Sequence, residues 1–184
     1  MLPSQTILRL LTSPVRFRLF IFLRLPSAYF SGVRIKTASE DHCVVTIPYK
    51  WFTRNPFRST YFACLSMAAE MSTGILGLMQ LHKRKPQVSM LVIKVDSSYH
   101  KKAIGRTTFI CDDGELIEKA VDETVATGEP RAIVARSVGK NKAGEVVAEY
   151  TRLPLCDLAS AVVAAAAARH FACGALFPSP PPTA

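Results

Sequence analysis

From Thr60 to Leu81 the chain runs for 22 residues with a single charge, Glu70, near the middle. Apolar residues come all round the helical wheel, so the stretch reads as a buried helix and not an amphipathic one. A carboxylate inside such a helix costs several kcal/mol unless it is paired, hydrogen-bonded or neutral, roughly 2–7 kcal/mol for simpler polar groups and more for a charge. Any fold for this chain must therefore provide a place for Glu70.

Both ends of the run carry boundary signals. Asn55-Pro56 favours an extended or turn conformation ahead of the helix, and Ser59 or Thr60 can act as N-cap. His82-Lys83-Arg84-Lys85 sets cations on the negative end, and Pro86 stops the helix. At helical spacing Ala63, Ser66, Met67, Thr73, Gly74 and Gly77 share roughly the face of Glu70. Most are small, so a backbone or a thin, long ligand could lie there. Close helix–sheet packing, with Glu70 satisfied by a Ser, a Thr or a strand, is the plainer alternative.

The chain has 184 residues and a formal charge of +9, unevenly placed. Residues 1–39 hold six Lys/Arg and no acid, whereas residues 40–152 hold sixteen basic and thirteen acidic side chains. The basic character belongs mainly to the N-terminal segment, which argues against nucleic-acid binding by the body. Five cysteines (Cys43, Cys64, Cys111, Cys156, Cys173) form no C-x-x-C pair and no zinc-ligand spacing. They read as free thiols in a reducing compartment, and no metal site is visible. Cys64 as a nucleophile lies about 120° off the face of Glu70 with no neighbouring His.

Three segments emerge. Residues 1–31 are a basic N-terminal helical segment, with apolar runs studded with Arg and the second run bounded by Pro14 and Pro26. That run is too short to span a bilayer; it suits helices covering the body, an interfacial membrane helix or an organelle presequence. Residues 32–152 carry strand patterns at Val33–Thr37, Cys43–Trp51, Val88–Val95, Ala103–Cys111, Ala132–Val138 and Glu145–Thr151. A second helix opens at Asp112-Asp113-Gly114-Glu115 and ends at Gly128. Residues 153–184, rich in Ala and then Pro, read as a C-terminal appendage, partly helical and partly disordered.

The order β, β, long apolar helix, β, β, helix, β, β implies an α+β fold in which an antiparallel sheet wraps a long central helix. Gly32–Thr151 resembles the hot-dog thioesterase-like group, and most of all its DUF4442 branch. The resemblance rests on Ile47-Pro48-Tyr49-Lys50-Trp51, on Thr53-Arg54-Asn55-Pro56-Phe57-Arg58-Ser59 and on Met67-Ala68-Ala69-Glu70-Met71-Ser72-Thr73-Gly74.

The resemblance implies a homodimer, or a tetramer, that hydrolyses an acyl-CoA or acyl-ACP thioester in a channel at the dimer interface, without a cofactor. In such thioesterases an Asn before the helix and an acid within it stand fifteen residues apart, as Asn55 and Glu70 do here. Glu70 would be the base or nucleophile and Asn55 would orient water or substrate. The amide of Phe62, beside Tyr61, would bind the oxyanion at the positive end of the helix. Thr73 is a further lining residue, and Ser89 a weaker candidate for orienting the attack. Where active enzymes often carry His-Gly-Gly, this chain has Tyr61-Phe62-Ala63, which keeps the amide and adds bulk. A non-catalytic acyl-thioester binder is the alternative. A dehydratase would need a His opposite the acid, and His42 and His100 lie in poor contexts for that. The expected compartment is the cytoplasm, with a mitochondrial or membrane-peripheral site as the alternative, the latter through contact of the N-terminal segment.

Overall fold

The computed structural model describes residues 11, 13–82 and 84–158. The described residues include two short helices ahead of the sheet, α1 (Pro14–Arg24) and α2 (Pro26–Ser31), each opened by a proline at its first position, where the missing N–H breaks no helical bond. Gly32, at φ 79°, ends α2 in the left-handed region. Phe17 and Ile21 of α1 are buried in the core, so this segment covers the body.

Seven strands form one antiparallel sheet. They are β1 (Arg34–Ala38), β2 (Cys43–Ile47), β3 (Val88–Tyr99), β4 (Thr107–Cys111), β5 (Arg131–Ala132), β6 (Ala135–Lys140) and β7 (Val146–Leu158). The order across the sheet is β1-β2-β4-β6-β7-β3, with β5 pairing the far half of β7. The long helix α3 (Phe62–Leu81) lies across β2, β4 and β6, and α4 (Gly114–Thr127) packs against α3 and β7. Phe109, Ile47, Val45 and Val147 from the sheet and Leu76, Ala68 and Leu65 from α3 form the centre of the core.

Three expectations change. First, α3 is not covered all round: Phe62, Glu70 and Leu78 are exposed, with Ser66, Met67 and Gly74 half-buried between them. These positions recur about every four residues, so they form one stripe facing away from the sheet. Second, neither Ser59 nor Thr60 caps α3. The N-cap is Tyr61, without a side-chain cap, because Ser59 Oγ donates to Asn55 Oδ1 and Thr60 Oγ1 donates to the Ala103 carbonyl.

Third, the last strand does not stop at Thr151, and the boundary drawn between 152 and 153 falls inside it. β7 continues to Leu158, with Leu158 opposite Val88 and Arg131 opposite Cys156. Pro154 stays in the strand, its carbonyl accepting from the Ile133 amide at 3.1 Å. It sits beside a bulge in β3 between Val92 and Lys94. A proline in a sequence reads as a strand end, and here the bulge accommodates it. The remaining appendage, residues 159–184 with Cys173, lies outside the described residues.

Candidate active site

The open stripe of α3 forms one wall of a cavity of about 370 Å³. The other wall comes from the inward face of β7 and its neighbours, through Val95, Ser137, Tyr150 and Arg152. Glu70 stands in this cavity with its side chain 56% exposed, so the carboxylate expected from the sequence to be buried is instead open to the cavity within one protomer. The stripe explains why. Beside Glu70 the stripe carries Gly74, where an added Cβ would come within 3.0 Å of Glu70 Oε1.

Arg152 supplies the opposite charge. It is only 8% exposed, and Nη1 lies 3.4 Å from Glu70 Oε1. The same nitrogen donates to Thr73 Oγ1 at 2.8 Å and to the Glu70 carbonyl at 3.5 Å. Burial lowers the guanidinium pKa from its ordinary value, and the nearby Glu70 carboxylate opposes that shift. Thr73 Oγ1 in turn donates to the Glu70 carbonyl at 3.0 Å. Thr73 therefore ties the arginine to the helix backbone one turn from the acid.

A second polar cluster lies at the helix N-terminus. Ser66 Oγ donates to the Phe62 carbonyl at 3.0 Å or to Tyr150 Oη at 3.1 Å. Tyr99 Oη and Tyr150 Oη are 2.7 Å apart. Burial pushes the Tyr150 phenol well above its ordinary range, so it stays a neutral hydroxyl at any physiological pH. Ser137 Oγ, on the cavity wall, lies 2.7 Å from Ser72 Oγ.

Asn55 is elsewhere. Its Oδ1 accepts from the Ser59 amide at 3.1 Å and from Ser59 Oγ at 3.2 Å, closing the turn ahead of α3. It lines a second cavity of about 510 Å³, together with Tyr61, His100, Lys101 and Lys102. Within one protomer, then, Asn55 and Glu70 face different cavities. Phe62 borders both and so stands at their junction. With no side-chain cap, the first amides of α3 keep the orphan donors of a helix N-terminus at that junction. Tyr61 packs edge-on against Phe62, with ring centroids 4.9 Å apart.

Two other sequence candidates do not join the site. Ser89 pairs with Asp157 near the start of β3, whereas the cavity residue of that strand is Val95, roughly 20 Å along at strand rise. Cys64 is buried with its Sγ 3.9 Å from Ser31 Oγ, and burial raises its pKa. The thiolate a nucleophile needs is thus disfavoured. Sequence reasoning missed Arg152, Tyr150, Tyr99 and Ser137. The available signal was parity: Tyr150 and Arg152 are two apart on one strand, so an arginine falls on the inward face.

No protein-family profile matches the chain, and no curated protein matches it in sequence. Solved structures do match in three dimensions. A protein of unknown function from Pseudomonas aeruginosa, a probable thioesterase, superposes with a TM-score of 0.67 at 20% identity, over 78% of this chain and 95% of that one. A putative thioesterase from Shewanella oneidensis gives 0.62 at 9% identity, over 78% and 96%. A thioesterase from Haemophilus influenzae gives 0.55 at 12% identity, over 78% and 89%. Likeness at these identities speaks for the fold. An antiparallel sheet of seven strands wrapped around α3, superposing on these neighbours, gives the described residues the hot-dog fold.

Proposed function

We propose that the chain hydrolyses an acyl thioester, carried by CoA or an acyl carrier protein, at the junction bordered by Phe62. The observation that carries this reading is the single carboxylate of α3 standing half-exposed in an otherwise largely apolar cavity, two turns from the uncapped end of its own helix. Glu70 takes a proton from water while the water oxygen bonds to the thioester carbon. The carbonyl oxygen becomes an oxyanion that accepts from the Phe62 amide of a second copy across the proposed dimer, where the helix dipole and unpaired donors favour negative charge. Phe62 of the same helix lies about 12 Å from Glu70 along the axis, too far to serve. The C–S bond then breaks, and the proton passes from Glu70 to the leaving thiolate. The acyl chain runs along Ala63, Met67 and Val95. The phosphorylated carrier lies toward Lys101 and Lys102 in the second cavity, where Lys101 is already held by Glu145 at 2.5 Å.

Assignment to the DUF4442 branch and a homodimer belong to the same proposal. Strand β3 ends the sheet with one side unpaired, and its Leu91, Ile93 and Val95 are exposed. A second copy paired along β3 would bury them and close the cavity on the Val95 side. Exposed apolar edges of this length otherwise invite aggregation.

A non-catalytic binder of the same ligand is the second reading, and specific contacts favour it: Arg152 engages Glu70, and Asn55 Oδ1 is taken by Ser59. Thiol release from acyl-CoAs of different chain length, comparing wild type with Glu70→Gln, separates the readings. Loss of a general base lowers the rate roughly 10²–10⁴-fold. Retention of acyl-CoA by a folded wild type that frees no thiol selects the binder, and equal turnover in both proteins rejects Glu70 as the base.

A further inference from the structure

Helix α1 is apolar on two sides. Phe17 and Ile21 face the core, while Val15, Leu19, Phe22 and Leu23 are exposed. At about 100° per residue the exposed four form one outer arc, with Arg16 at one seam and Arg18 at the other. Arg18 lies over the Tyr29 ring, 3.8 Å from its centroid, and so keeps its charge at that edge.

The outer arc continues onto other elements through touching rings. Phe22 meets Tyr29 at 5.0 Å and Phe30 at 6.4 Å between centroids, and Phe30 meets Phe52 at 6.4 Å. Trp51, next to Phe52 in the chain, is 78% exposed. Lys50 Nζ donates to the Phe30 carbonyl at 2.8 Å, which places another cation within the patch. Residues 13–39 contain no acid, and the nearest are Glu40 and Asp41. A contiguous aromatic and aliphatic surface of this kind on a folded domain marks an interaction face.

We propose that this face docks on an anionic lipid surface, with Phe22, Leu23, Phe30, Trp51 and Phe52 entering the headgroup region and Arg16 and Lys50 meeting lipid phosphates and carboxylates. Charge complementarity decides between occupants. In a symmetric dimer through this face the same cations would meet across the interface and repel. A bilayer with acidic headgroups neutralises them, and interfacial Trp and Phe with flanking Arg and Lys are the residues that suit that depth. The structure also places the anchor. Phe17 and Ile21 are already in the core, so the lipid-facing residues are the other side of α1 together with Phe30 and the Trp51–Phe52 turn. The inference is independent of the reaction at Glu70.

Co-sedimentation of the full chain with phosphatidylcholine vesicles, with and without phosphatidylserine, tests it. Binding is expected only with phosphatidylserine present and weakens as salt rises. Arg16→Gln with Lys50→Gln lowers affinity by about five-fold for each cation. Phe22→Ser with Trp51→Ser lowers it by at least about ten-fold, with circular dichroism and thiol release unchanged because neither side chain belongs to the buried core or lines the Glu70 cavity. Equal binding to both kinds of vesicle overturns the electrostatic part. Unchanged binding by the aromatic variant overturns the face, as does a dimer that the aromatic variant dissociates while no vesicle is bound.

Discussion

The Glu70–Arg152 pair joins a half-exposed carboxylate to a guanidinium that is only 8% exposed, so removing either side should have unequal consequences. Taking away Arg152 leaves Glu70 with water. Taking away Glu70 leaves a buried cation with Thr73 Oγ1 and a backbone carbonyl. Arg152→Met fills similar volume and relieves the desolvated charge. It gives up one charge-assisted hydrogen bond to Thr73, about 1.5–3 kcal/mol, and a screened ion pair of about 0.2–1 kcal/mol. Relief of the buried charge offsets most of that, so the net change lies within about 1 kcal/mol. Arg152→Ala adds a void and is expected to cost about 2–4 kcal/mol. Urea unfolding at neutral pH of wild type, Arg152→Met, Arg152→Ala, Glu70→Gln and the Glu70→Gln/Arg152→Met double variant provides the cycle. A coupling of about 0.5–1 kcal/mol is expected between the two partners. Coupling above about 2 kcal/mol would show that solvent does not screen the pair, and a loss above about 3 kcal/mol in Arg152→Met would show that the guanidinium is held by more than these contacts.

Other expectations follow from the same geometry. Burial pushes the thiols of Cys43 and Cys111 from 9.0 up to about 12. The unfolded chain then loses these protons first, so stability is full below pH 9 and falls between pH 9 and 12, by up to about 1.4 kcal/mol per pH unit for each thiol. Denaturant titrations across that range check the slope, which Cys43→Ala should reduce. Gly114→Ala places a Cβ 2.2 Å from the Glu40 carbonyl oxygen, whereas Gly77→Ala places one 2.7 Å from the mobile end of Met90. Backbone cannot yield as a methionine methyl can, so Gly114→Ala should lower the thermal midpoint more, with a cost of about 1–3 kcal/mol. Lysines at both Ile93 and Val95, exposed on the unpaired edge of β3, should give a monomer by light scattering and lower thiol release. A dimer that survives both lysines moves the interface elsewhere.

Much of this molecule was legible from local signals. A 22-residue run with turn residues before it and Pro86 after it can hardly be other than the central helix. Alternating β-branched residues marked the strands flanking it. Glu70 stood out as the one charge in that run, whereas its pairing with Asn55 rested on the family resemblance, and within one protomer the two residues face different cavities. These features depend on neighbours a few residues apart, which sequence displays directly.

What the tertiary structure decided depends on partners far apart in the chain. Which stripe of an apolar helix stays uncovered is set by the width and curl of the sheet beneath it, so Glu70 proved exposed although its sequence neighbours are apolar. Arg152 meets Glu70 across 82 residues, through the parity and register of β7, and Tyr150 meets Tyr99 in the same way. Pro154 ends a strand by local rule, yet β7 runs past it because β3 bulges alongside and the Ile133 amide, just after β5, donates to its carbonyl. Local conformational preference decides what each segment becomes. Ladder register decides which side chains then share a cavity, because a shift of one residue turns every side chain of a strand to the opposite face.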